Sequence, residues 1–595
     1  MKKISKAAWI LCCFFIFCIH FFYYPKWKQT GTEATISWDV TGYYLYLPSL
    51  FIYKDLKQLE FKDSIFQKYL PTPDFQQAFK HYSGNYVFKY SAGQAIFYSP
   101  FFFIGHFIAG NSNTYPNDGF SFPYQVTIGL GMLLYAFLGL YYLRRLLLEF
   151  FPDGIVALTL FVLVFGTNYL NYAAIDGAMT HNPLFTVYCL LLYFCHSFYK
   201  SPDTGKAILI GCLVGLATLT RPTEIISAFL PICWGVHTRQ SLKERIQFIL
   251  NYRTKYIKAA ISTLCIMSVQ IVYWKFVAGE WLVYSYQQEK FSFLSPHFKE
   301  CFIGFRAGWL IYSPAMILGI AGFLTLYNHK KSLFWPLAIF CFLFTWICFS
   351  WDVWWYGGSL GQRAMIQSYP IWAFPMASLL YWLFLKNSLV KALTSTFLTF
   401  CIWFNLWITH QGHWGGLLRV GEMTRPYFWA IFGRSEVNER VEHLLDNKTI
   451  YLKTPENPIL VFSNNFEKKS SLNNLDSTIV DDRIMLDSNL QFSTEYFFTV
   501  PGNIQWIRAS ADFSINEKEW NVWEMTQFVM RFYRMGKIIQ TNYIRIQRIM
   551  KDGETKSIFL DVKMPSKEFD KTSVLFWNSG SDKKIAIDNL KVICF

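Results

Sequence analysis

Charge is the first thing this sequence has little of. Only 16% of its 595 residues are Asp, Glu, Lys or Arg, against about a quarter in ordinary soluble domains, which excludes a chain folded wholly in water. Carboxylates in residues 25–123 are solitary: Asp39, Asp55, Asp63 and Asp74 stand alone, with no Asp-x-Asp. A hard divalent ion needs clustered oxygen ligands, so no catalytic metal is expected and no cofactor is required beyond the substrates. The 13 cysteines show no short repeated spacing and fall mostly in apolar runs, as Cys12, Cys13, Cys18, Cys341 and Cys348 do. That excludes a zinc motif and an obvious disulfide framework. No internal repeat is evident, which argues against a transporter built from repeated halves. The first apolar segment, Ala7–Tyr24, lacks a small-residue cleavage site and runs into FFYYPKW, so it reads as an uncleaved signal anchor.

What the chain has in abundance is apolar surface: 53% of residues are hydrophobic and 20% aromatic. Apolar runs near the ~20 residues that cross a bilayer recur to residue 410. Spans are read near 7–24, 124–143, 155–171, 182–198, 207–219, 223–236, 258–277, 306–327, 332–350, 364–385 and 392–410, about eleven crossings by the hydropathy criterion. The net charge of +15 does not point to nucleic acid. Lys3, Lys6, Arg144, Arg145, Lys200, Lys206, Lys330, Lys331, Lys386, Lys391 and the block Arg239–Lys258 all flank apolar segments. Basic residues concentrated in alternate loops, all on one side, are the positive-inside pattern. It puts the N-terminus in the cytoplasm and everything after residue 410 outside. Residues 207–236 read as a hairpin with Thr220-Arg221-Pro222 at its outer tip, since proline starts a helix better than it continues one.

The expected fold is therefore a polytopic α-helical membrane module, residues 1–410, followed by an extracytoplasmic antiparallel β-sandwich. Within the module, residues 25–123 form a first outer loop, with Tyr43–Tyr53 and Gln94–Ala109 as helices along the membrane face; the alternative, that the second is a true span and inverts everything downstream, is opposed by the positive-inside pattern. Residues 411–449 read as a connector. From about 450, apolar alternation of period two sets in, as in Ile558, Leu560, Val562 and Met564, punctuated by turns such as Pro501-Gly502 and Asn578-Ser579-Gly580. Short strands with such turns predict a sandwich over 450–595.

Ionisable residues at membrane depth are costly and mark function. Under this topology the outer ends of the spans hold Asp39, Lys89, Asp176, His181, Arg221, Asp352 and Arg363, with Tyr43, Tyr44, Tyr356 and Gln362 nearby. One carboxylate among several cations suits glycosyl transfer from a lipid phosphate. The carboxylate deprotonates an acceptor hydroxyl, and Arg and Lys hold the departing phosphate. Plainer roles stand beside these. Asp39 caps a helix beginning near Tyr43, Lys89 snorkels to headgroups, Arg221 meets lipid phosphate non-specifically, His181 bonds at a helix start, and Trp351–Tyr356 forms an interfacial belt.

The segment SWDVTGYYLYLPS after the first span resembles the first outer loop of the GT-C superfamily of polyprenyl-phosphate-sugar-dependent glycosyltransferases. The likeness is to the branch with protein O-mannosyltransferases and lipid A aminoarabinose transferase. FKYSAGQAIFYSP, with Lys89, is similar to that branch's juxtamembrane Lys-Pro segment, with a serine where proline is usual. Thr180–Phe185 resembles the start of its fourth helix, where relatives often carry Asp in place of His181. GLATLTRPTEII is similar to its Gly-Leu-x-x-Leu-Thr-Lys/Arg-Pro hairpin, and WWYGGSLGQRAMIQSYPIWAFPMA to a late-helix block of bacterial members. The resemblance implies Asp39 as base, Lys89, Arg221 and Arg363 as phosphate ligands, and a lipid-phosphate-linked sugar as donor. His181, Tyr43, Tyr44, Asp176, Tyr356 and Gln362 complete the expected substrate site.

WDVWWYGG is a scrambled likeness of the Trp-Trp-Asp-Tyr-Gly element of oligosaccharyltransferases, which keeps transfer of an assembled glycan open. A transporter or flippase, and a glycan-binding scaffold without turnover, are the readings from other classes. The C-terminal domain resembles a galactose-binding-like jelly roll, which implies carbohydrate binding and a structural calcium on Asn465, Glu467 and Asp588; these three also suit plain turns. Expected partners are the lipid-linked donor, a glycan, lipid or protein acceptor, and membrane lipids, in the inner membrane of a bacterium.

Overall fold

The computed structural model describes residues 3–467, 477–502, 504–515, 524–550, 553–581 and 583–595. They divide into two units, Met1–Gly421 and Glu422–Phe595.

The first unit is helical. Its principal helices are α1 (Ile4–Cys18), α2 (Trp38–Tyr44), α3 (Gly93–Gly110), α4 (Phe122–Leu147), α5 (Asp153–Phe165), α6 (His181–Lys200), α7 (Thr204–Thr220) and α8 (Arg253–Ala278). They continue with α9 (Ile317–His329), α10 (Lys331–Phe349), α11 (Tyr369–Phe384) and α12 (Ser388–His413). Among the described residues, five stretches are long and apolar enough to cross a membrane: Ile4–Lys28, which contains α1, and α4, α8, α10 and α12. α10, with 19 residues, spans roughly 28 Å at 1.5 Å per residue, close to the hydrocarbon thickness. On α8 the large apolar residues Ile257, Ile261, Leu264, Val272 and Phe276 are exposed, a stripe suited to lipid.

These five account for part of the eleven expected crossings. The other expected spans are helical but shorter, broken or more polar. α5 stops at Gly166 after 13 residues. α9 is separated from Trp309–Tyr312 by a 3-10 turn at Pro314–Met316, and α11 follows a 3-10 stretch, Arg363–Ser368. At Pro314 the cause is local: proline lacks the N–H that an α-helix interior needs, and hydropathy windows do not register it. The 207–236 hairpin does break at its expected tip. Arg221 is extended (φ −141°, ψ 117°), and Pro222 opens a 3-10 stretch, Pro222–Ala228. The returning arm is no second α-helical span. At about 2 Å per residue the 3-10 stretch climbs faster than an α-helix, and Tyr199 at the far end of α6 hydrogen-bonds the Pro231 carbonyl.

One end of the bundle gathers the basic residues. Arg144 donates to Ser5 (2.8 Å), Ile4 N–H to Asp153 (2.9 Å), Lys200 pairs with Glu149 (2.6 Å), and Lys255 reaches the Pro202 carbonyl (2.9 Å). The ends of α1, α4–α8 are thus pinned to one level; Asp39, His181 and Arg221 lie toward the other ends of these elements or in the segment that follows α1, and Arg363 lies in the segment between α10 and α11. Residues 25–123 contain α2, the hairpin β1 (Ala78–Lys80)–β2 (Tyr86–Phe88), and α3. α3 was expected along the membrane face. It instead runs antiparallel to α4, with Phe97 near Tyr135, Phe101 against Gly131 and Gly105 against Thr127, because its small residues let the two helices close.

The second unit begins inside the expected connector. Helix α13 (Arg425–Ile431) and the 3-10 turn Glu439–Leu445 are tied to strands: Asp446 pairs with Arg545 (2.6 Å) and Glu422 with Arg548 (2.7 Å). The strands are β3 (Ile459–Asn464), β4 (Ile479–Val480), β5 (Arg483–Leu486), β6 (Tyr496–Phe498), β7 (Trp506–Ser514), β8 (Gln527–Arg534), β9 (Lys537–Arg545), β10 (Thr555–Lys563), β11 (Lys571–Trp577) and β12 (Ile585–Cys594). One antiparallel sheet runs β10-β7-β12-β5-β4 with β3 beside β12, and the other β6-β11-β8-β9. Their alternating inward residues share one apolar core, joined by Phe513 of β7 against Phe528 and Phe576 of the other sheet. Asp588 faces the Arg483 guanidinium at 3.8 Å, and Asn465 and Glu467 lie just past the end of β3.

Candidate active site

Asp39 sits in the first turn of α2, after Trp38, whose backbone is left-handed (φ 49°). Such conformations are uncommon for bulky residues and concentrate at functional sites. The capping role is not what Asp39 performs, since the helix has no side-chain cap. Its carboxylate points across the fold: Oδ2 accepts from Arg363 Nη2 at 2.6 Å and Oδ1 from the Tyr90 hydroxyl at 2.7 Å. Tyr90 can lie there because Gly42 has no Cβ, which would meet the ring at 2.3 Å. Burial acts to raise the Asp39 pKa, but Arg363, the Tyr90 hydroxyl and Lys89 outweigh it and hold the carboxyl below its ordinary value. Asp39 is thus an ionised carboxylate at neutral pH, 28% exposed.

Arg221 approaches from the α7 tip. Its guanidinium lies 5.8 Å from the Tyr356 ring and 3.5 Å from His181 Nδ1, within electrostatic reach of Arg363 and Tyr43. Lys89 pairs with Glu289 at 2.6 Å and lies between the Tyr90 and Tyr286 rings. It turns inward to a carboxylate rather than outward to headgroups. Two carboxylates therefore answer Lys89 and Arg363, and Arg221 has no ion pair among the described residues. A half-buried guanidinium within electrostatic reach of Arg363, Tyr43 and Glu224, and without an ion pair of its own among the described residues, is a place for an anion.

The structure brings together Asp39, Tyr43, Lys89, His181, Arg221, Tyr356 and Arg363. Tyr43 lies 4.4 Å from Tyr90, ring to ring, and the Tyr356 hydroxyl donates to the Cys348 carbonyl (2.8 Å). Gln362 holds the adjoining loop by donating to the Trp354 carbonyl (2.9 Å). Two expected residues belong elsewhere. Tyr44 is core, its hydroxyl on the Gly119 carbonyl (2.5 Å) and its ring among Tyr98, Phe102 and Phe120. Asp176 pairs with Lys26 (3.0 Å) and Asn171 (2.9 Å). Burial acts to raise its pKa, and Lys26 and His413 bring it down to about 2. Among the described residues no three His, Cys, Asp or Glu side chains form a metal-ligand group.

No protein-family profile matches this chain, and no curated protein matches it. Among solved structures, it is similar to the cryo-EM structure of arabinosyltransferase EmbB from Mycobacterium smegmatis, with a TM-score of 0.29 and 11% identity. The match covers 78% of this chain and 57% of that one. A likeness at that level leaves the site to its own geometry.

Sequence reasoning missed Tyr90, Tyr286, Glu289, Glu224 and Gln367. Tyr90 adjoins Lys89, and Glu224 is a carboxylate within an apolar hairpin, a signal that intramembrane acids carry on their own. Glu289 and Gln367 gave none.

Proposed function

We propose that this chain is a membrane glycosyltransferase that moves a sugar from a polyprenyl-phosphate-linked donor to a cell-envelope acceptor, with inversion. The acceptor is a glycan, lipid or protein. Asp39 takes the proton of the acceptor hydroxyl as its oxygen attacks the anomeric carbon. The bond from that carbon to the phosphate oxygen breaks, the phosphate keeps the electron pair, and Arg221 with Arg363 neutralises the charge that develops on it. The carrying observation is Arg221, without an ion pair among the described residues, within electrostatic reach of the Arg363 that holds Asp39. As the phosphate arrives, it offers Arg363 a second anion and loosens its hold on Asp39. The proposed setting is a bacterial inner membrane, with the N-terminus cytoplasmic and the second unit outside.

The test is transfer of radiolabelled sugar from polyprenyl-phosphate donors by the purified, reconstituted chain. Asp39→Asn keeps the shape of the side chain and should lower kcat by about 10²- to 10⁴-fold, the usual worth of a general base, with the thermal denaturation profile intact. Undiminished transfer by that variant removes Asp39 as base.

A further inference from the structure

Two arginines of the site each open a 3-10 stretch, or immediately precede one: Arg221 before Pro222–Ala228 and Arg363 at the head of Arg363–Ser368. One turn on, the two stretches are joined to each other. Gln367 Nε2 donates to Glu224 Oε1 at 2.9 Å, and the Tyr188 hydroxyl of α6 donates to Glu224 Oε2 at 2.5 Å. Gln367 Oε1 faces His181 Nδ1 at 2.8 Å. Glu224, Gln367, Tyr188 and His181 are all 2% exposed or less.

The donors and acceptors in this chain run one way. A carboxylate accepts from both Tyr188 and Gln367, which turns the Gln367 amide nitrogen toward Glu224 and its oxygen toward His181. An amide oxygen only accepts and a guanidinium only donates; the Gln367 oxygen at 2.8 Å outweighs Arg221 Nη1 at 3.5 Å from the same nitrogen, so His181 Nδ1 carries the proton and Nε2 keeps a lone pair. That nitrogen has no partner among the described residues, and it is not one of the fully enclosed polar atoms. The ring stands beside Arg221 and edge-on to Tyr172 at 5.7 Å. A buried carboxylate whose nearest cation, Arg221, is not in direct ion-pair contact with it is expensive at this depth, and the relay to His181 gives it a use.

We infer that Glu224 and Gln367 are positioning residues that fix His181 with Nε2 as a hydrogen-bond acceptor for a substrate hydroxyl. This rests on the proposed transferase reading, in which that hydroxyl belongs to the donor sugar or the acceptor. The same Glu224–Gln367 bond braces the segments that carry Arg221 and Arg363.

The experiment uses the full chain in lipid nanodiscs with ¹⁵N-labelled histidine, the His181 resonances being identified by their loss in His181→Asn. Nδ1 of His181 should be protonated and Nε2 bare. That preference should vanish in Gln367→Leu and Glu224→Leu and survive in Glu224→Gln, whose amide oxygen still accepts. An Nε2–H ring in the unmodified chain, or a tautomer indifferent to both leucine variants, overturns the inference. In the transfer assay Gln367→Leu and His181→Ala should each lower kcat/KM about 10- to 100-fold, the scale of a misplaced contact. The double variant should be no worse than His181→Ala alone, whereas additive losses overturn the coupling. If the unmodified chain transfers no sugar, the proposed function falls, and the nitrogen spectra still decide the positioning of His181.

Discussion

At the scale of single residues, the site turns on how Asp39 is held. A carboxylate after a first apolar segment is readable from sequence, and so is a cation near it. What was not readable is that Arg363, 324 positions away, takes one oxygen and Tyr90 the other. The pH dependence follows with a definite sign. Arg363 keeps the Asp39 pKa below its ordinary value of about 3.9, and the base works only when deprotonated. The kcat/KM profile, which reports the free enzyme, should therefore show no acid limb from Asp39 between about pH 5 and 8. In Arg363→Ala the burial that raises the pKa remains and the opposing cation is gone, so an acid limb should move up into that range. Arg221→Lys should recover only part of what Arg221→Ala loses, because an ammonium cannot make the paired contacts of a guanidinium.

At the scale of elements, close helix approach is written in small residues. Gly211 and Gly215 of α7 face α8, where a Cβ on Gly211 would meet the Ala259 carbonyl oxygen at 2.1 Å and one on Gly215 the Thr263 carbonyl oxygen at 2.9 Å. Thr263 donates across the seam to the Gly211 carbonyl (2.9 Å). Small residues four apart allow this packing where no hydrophobic force between helices exists in lipid. Gly211→Leu should cost roughly 1–3 kcal/mol or more, as overpacking does, read as a lower thermal midpoint in detergent. It should also weaken transfer, because α7 ends at Arg221.

At the scale of the molecule, each unit has its own interior, and heating the chain should give more than one calorimetric transition. The second unit holds a buried ion pair suited to testing this. Arg508 grips Asp561 with Nε (2.6 Å) and Nη2 (2.9 Å), and the Asp561 side chain is 0% exposed. Arg508→Leu strands that carboxylate and should destabilise its unit by about 3–5 kcal/mol, while the double change with Asp561→Leu should recover much of the loss. Only one transition should shift.

The sequence by itself determined the elements whose cause is local. Apolar runs made the helices, period-two alternation made the strands of both C-terminal sheets, and Arg221-Pro222 made the hairpin tip. It also marked Asp39, Arg221 and Arg363 as unusual, since ionisable groups at the ends of apolar segments are costly wherever they fall. Only the tertiary structure decided which of them are partners. Tyr44 and Asp176 were drawn into the core and to Lys26, Lys89 was matched by Glu289, and Arg221 was left without an ion pair among the described residues. Pairing depends on Coulomb and hydrogen-bond terms that fall away within a few ångströms, and distances of that size between residues hundreds of positions apart exist only once the helices have packed.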